Sequence, residues 1–141
     1  MQPKLNYPAI FVSAIAKFII GAIWYSPLLF AAQWMQLTGI TEEMAGQTNM
    51  GLIFGAALIA YIVQAYVLAH FVHYTNSTTA KGGAQTGFWL WLGFVAVLLL
   101  QNVLFERKAM SLWAINAGYE LVSLVVMAII LAVWKKKEAT E

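Results

Sequence analysis

Lys17 and Glu120 each stand inside a long apolar run. A lone charge in hydrocarbon costs about 2.5–3.5 kcal/mol on insertion scales. Two opposite charges at one depth offset that cost best by pairing. Lys17 lies about 10 residues into its run from one end, and Glu120 lies about 9 residues into its own from the other. At about 1.5 Å per residue both fall near the middle of a core about 30 Å thick. The sequence therefore predicts that they meet. Such a pair can pass a proton or an ion, or it can simply hold two helices together, or the two can face different partners, another subunit included; holding helices together is the leading reading.

Other polar residues follow the same two helix faces. Trp113, Asn116, Glu120, Ser123 and Met127 recur at spacings of three and four, as do Ser13, Lys17, Gly21 and Trp24. Gln64, with Tyr61 and Ala57 on its face, is expected to join them. Gln101 and Asn102 are expected to meet Asn116. Lipid cannot satisfy these groups, so they should point inward. As interhelical glue, each buried amide is worth about 0.6 kcal/mol.

Catalytic patterns are missing. There is no GxSxG elbow, P-loop, HExxH or GxGxxG before a helix. Ser13 or Ser123 beside Lys17 resembles a nucleophile and its base only in residue type. His70 and His73 have metal-ligand spacing, but the chain holds no Cys and no Asp, and two interfacial histidines are the better reading. Lys17 is the only lysine inside a run, and four short spans make too thin a wall for a Schiff-base cofactor. No catalytic residue, metal or cofactor is assigned, and the missing motifs disfavour a membrane enzyme, which stays open as a third class.

The elements that must carry these residues follow from composition. Of 141 residues, 62% are hydrophobic and 10% charged, against about 25% charged in a soluble domain. A globule of this size has too little interior to hide so much apolar surface. Disorder fails for the same reason, and a disulfide scaffold fails because there is no Cys. The net charge of +2 is too small for a nucleic-acid partner. The expected partner is the lipid bilayer.

Four runs can cross it: about 8–25, 50–72, 86–104 and 111–134. Val95 to Leu100 does not alternate as a barrel strand would. Lys17 and the bulky Trp24-Tyr25 argue that the first run is retained and not cleaved as a signal peptide. The fold class is all-α, a bundle of four transmembrane helices in one domain, 1–141. Leu28 to Leu37 is too short to span and reads as a short amphipathic helix in the interface. Thr41-Glu42-Glu43-Met44 reads as a capped helical start or else an irregular loop, and Asn76 to Gly83 as a polar turn.

Lys4, Lys81, Lys135, Lys136 and Lys137 fall on one side, and Arg107 and Lys108 on the other. The excess places both termini in the cytoplasm. Trp24, Tyr25 and Trp34 would mark the outer interface, with Tyr74 and Trp134 at the inner one. Lys135, Lys136 and Lys137 would attract anionic lipid at about 1 kcal/mol each. Gly51 with Gly55, and Gly83 with Gly87, are small-residue pairs for close helix approach, within the chain or in a homo-oligomer.

Gly21 to Phe30, which holds Trp24-Tyr25-Ser26-Pro27, then Trp34-Met35 and Thr38-Gly39, resembles the first-helix signature of a widespread bacterial family, domain of unknown function number 1761. Phe105-Glu106-Arg107-Lys108 and Ile115-Asn116-Ala117-Gly118-Tyr119 resemble its third loop and the start of its fourth helix. The resemblance covers nearly the whole chain. It implies a small four-helix protein of the bacterial inner membrane and carries over no activity and no catalytic residue. Two functions remain: a helix-packing scaffold or accessory protein, oligomeric, or a small transporter or channel subunit using the midplane stripe.

Overall fold

A computed structural model describes residues 3–134. Among these residues it is all-helical, with four helices long and apolar enough to cross a membrane. That is the architecture of a multi-pass membrane protein. Lys135, Lys136 and Lys137 lie outside the described residues.

The first long helix, α1, runs Tyr7–Trp24. Pro8 sits in its first turn, where a missing N–H is harmless. Asn6 caps it by accepting from the Ala9 amide. The chain leaves α1 at Ser26-Pro27, where Ser26 Oγ donates back to the Ile23 carbonyl at 2.7 Å. A short helix, α2, runs Ala31–Thr38, and Gly39 stops it at φ +75°. That left-handed conformation is cheap only for glycine. Thr41 then caps a short helix, α3 (Glu42–Gly46), by accepting from the Met44 amide. The capped start is thus the form the Thr41 segment takes.

The second span, α4, is Met50–Tyr74, capped by Asn49. The third, α5, is Ala80–Phe105, capped by Thr79. It begins six residues before the expected 86, because the glycine-rich stretch taken as part of a turn is helix. The reason is packing. A Cβ on Gly83 would stand 2.6 Å from the Ala128 carbonyl oxygen, and one on Gly87 2.7 Å from that of Leu124. These glycines are the surface on which α5 meets the fourth span, α6 (Met110–Val133). Midway, α5 widens into a π-helical stretch, Trp91–Ala96.

The helix α6 is the hub. It packs on α1, α4 and α5, most extensively on α5. Its inward residues Met127 and Ala128 join Ala9, Ala14 and Ala65 in a core with essentially no exposure. Small side chains let three helix backbones converge here. The loop-side half of α4 does not join this core. Residues 50–56 are all exposed, and nothing lies within 4 Å of a Cβ built on Gly55. Of the two glycine pairs, Gly83 with Gly87 packs within the chain, while Gly51 with Gly55 stays open.

Candidate functional site

Three spans meet at Lys17. Its Nζ lies 2.9 and 2.7 Å from the two carboxylate oxygens of Glu120 on α6, and 2.6 Å from Gln64 Oε1 on α4. An ammonium has three N–H donors, so each finds one acceptor. Lys17 is 2% exposed, whereas the Glu120 side chain is 21% exposed. Two aromatic faces complete the cage: the ammonium lies 4.8 Å from the Tyr61 ring centre and 5.3 Å from that of Tyr119. Ring faces carry negative potential and stabilise a desolvated cation.

On α4, helix periodicity explains the convergence. Tyr61 and Gln64 are one turn apart on α4, and Tyr119 and Glu120 are adjacent on α6. The Tyr119 hydroxyl lies 3.3 Å from both the Lys17 carbonyl oxygen and the Tyr61 hydroxyl. Gly21 leaves room for that ring, since a Cβ there would stand 3.0 Å from the Tyr119 oxygen. Tyr119 was not legible as part of the cage. Its signal is the small residue it faces, which only the packed structure pairs with it.

Asn116 sits one turn above Glu120 and accepts from the Tyr25 hydroxyl at 2.8 Å. The expected partners Gln101 and Asn102 are instead exposed. Tyr25, at the end of α1, reaches the amide first. Trp24 also turns inward: its indole donates to the Ile115 carbonyl at 3.0 Å, and its ring lies on Phe30. Trp34 packs edge-on against Tyr25. The Trp24-Tyr25-Ser26-Pro27 motif therefore ties α1 to α6. Trp91 and Trp113 make two further ties between α5 and α6, to the carbonyls of Ala117 and Ala96. Ala96 closes the π-helical stretch, where backbone carbonyls lose regular α-helical partners.

Ser13 and Ser123 are fully buried, each a single turn from the ion pair toward the chain termini. Neither hydroxyl has a hydrogen-bond partner among the described residues. His70 packs against Tyr66 and its Nδ1 lies 3.0 Å from the Tyr66 carbonyl oxygen. No group of three or more metal-ligating side chains occurs among the described residues.

One family model, described as Protein of unknown function (DUF1761), matches residues 8–132, which takes in all four spans except Tyr7 at the start of the first and Val133 at the end of the last. The chain belongs to this family. No curated protein and no solved structure matches it. In this DUF1761 protein the matched region carries Lys17, Gln64 and Glu120 together with the Trp24-Tyr25 ties.

Proposed function

We propose that this protein is a non-catalytic, helix-packing membrane protein, a scaffold or accessory subunit, seated in a bacterial inner membrane with both termini cytoplasmic. One observation carries the reading: all three N–H groups of Lys17 are held by Gln64 and Glu120, at 2.6 to 2.9 Å. A saturated ammonium has no donor left to work with. Both Glu120 oxygens face the same cation, so the charges neutralise each other and fasten α1, α4 and α6 together. The open Gly51 and Gly55 face supports a homo-oligomer joined along α4. Lys135, Lys136 and Lys137 supply the charge to hold the end of the chain at anionic lipid.

A second reading, a small transporter or channel subunit, is favoured by one feature. Glu120 keeps 21% exposure beside a cation, and two unpartnered hydroxyls lie next along the helices. Flux of protons and alkali cations into proteoliposomes separates the readings. Well-folded wild type that passes nothing supports the packing role. Wild-type flux that disappears in Glu120→Gln protein whose helix content is intact establishes the second.

A further inference from the structure

Helices α4 and α5 touch only lightly, and a continuous groove runs between them. At the end nearer the chain termini it opens as a cavity of about 550 Å³, with Asn76, Thr78, Thr79 and Gln85 in its wall. Deeper, it continues as an apolar cleft of about 370 Å³ lined by Val67, Leu68 and Val95 and reaching Gln64. Phe71, Leu90 and Phe94 border both parts. From Thr75 to Gln64 the groove follows eleven residues of α4, about 16 Å of helix. Half of a hydrocarbon core is about 15 Å. The groove is therefore polar at headgroup depth, apolar below it, and ends near the midplane.

Charge points the same way. Lys81 is exposed between the wall residues Thr79 and Gly82. Among the described residues, no carboxylate lines either part of the groove. The described acids are elsewhere: Glu42 and Glu43 on α3 and Glu106 just after α5, all at the opposite end, and Glu120 at the ion pair. The hydroxyls of Thr75, Ser77 and Thr86 stand 2.9 to 3.0 Å from one another and fix the floor of the polar end.

We infer that this groove is a site for one glycerophospholipid of the leaflet on the terminus side. Its phosphate lies by Lys81, its glycerol region lies along the amide and hydroxyl wall, and one acyl chain lies in the cleft between α4 and α5. The site is separate from the ion pair and shares only Gln64 with it.

The test is native mass spectrometry of the full chain in detergent, after delipidation and titration with phosphatidylglycerol. Wild type should hold one lipid per chain. Val67→Trp fills the cleft from a position that is 47% exposed, and should lower occupancy at least tenfold. Ile19→Trp, at a 53% exposed position of α1 outside both parts of the groove, should leave it unchanged. Lys81→Gln, at the surface, should weaken phosphatidylglycerol binding several-fold even if the tryptophan variant does not fold. The assignment is overturned by lipid held equally by wild type and a folded Val67→Trp, by equal loss in Ile19→Trp, or by no effect of Lys81→Gln. Inorganic phosphate that displaces the lipid at equal concentration overturns it too, because the apolar cleft would then contribute nothing.

Discussion

Gly87 gives the sharpest quantitative handle on the bundle. A Cβ placed on it would stand 2.7 Å from the Leu124 carbonyl oxygen and 3.0 Å from both the Leu124 carbon and the Val125 Cα. All three are backbone atoms of α6, so no side-chain rotation relieves the contact. Ordinary contact begins about 0.7 Å further out, and α5 must move back by about that much. A gap of 0.5–1 Å forfeits about a quarter to a half of each dispersion contact along the interface. This is the most extensive helix pair in the fold, and forced overpacking of this kind costs about 1–3 kcal/mol. Gly87→Ala should therefore lose about 1–3 kcal/mol despite alanine's better helix propensity, and Gly83→Ala a similar amount. Gly55→Ala is the control. Nothing lies within 4 Å of its Cβ, so propensity alone applies and the monomer should gain up to about 1 kcal/mol. Reversible unfolding in mixed detergent micelles, followed by circular dichroism, measures all three. Gly87→Ala within about 0.5 kcal/mol of wild type, or Gly55→Ala as damaging as Gly87→Ala, refutes close backbone packing at α5 and α6.

Trp24→Phe removes one indole N–H from the Ile115 carbonyl and should cost about 0.5–1.5 kcal/mol. Loss of that size in the same unfolding assay, with the helix content intact, is the expected result. Ser123→Ala deletes a buried hydroxyl that has no partner, so stability should hold or rise by about 1 kcal/mol. A loss above about 1 kcal/mol would mean that the hydroxyl is satisfied by something bound. The chain has no native Cys, so single cysteines at Thr78 and Glu106 report topology cleanly. A membrane-impermeant maleimide added to intact cells should label position 106 and spare position 78, and the reverse pattern would invert the proposed orientation.

The four spans were legible because hydrophobic length is a direct property of the chain. Depth arithmetic was enough to bring Lys17 opposite Glu120. The Gly83 stretch was harder, because glycine and lysine look like a turn until the neighbouring backbone is known. Only the carbonyls of Leu124 and Ala128, about 40 residues away, show that those glycines belong to a helix. Trp24 and Tyr25 carried the usual signature of an interface belt. Their inward turn depends on which acceptors α6 presents, and spacing along α1 holds no information about that. Asn116 illustrates the same limit: its polarity requires a partner, yet only the packed helices select Tyr25 over Gln101.

Lys17 and Glu120 hold each other at the centre of the bundle. A double-mutant cycle with Lys17→Met and Glu120→Gln tests it most directly. Breaking a buried pair from one side leaves an uncompensated charge and costs about 3–5 kcal/mol, whereas replacing both partners is often close to neutral. Each single variant should therefore be severely destabilised, and the double variant should recover most of the loss, since Gln64 can then bond the new amide at 120. A double variant as unstable as the two singles added together would contradict the account.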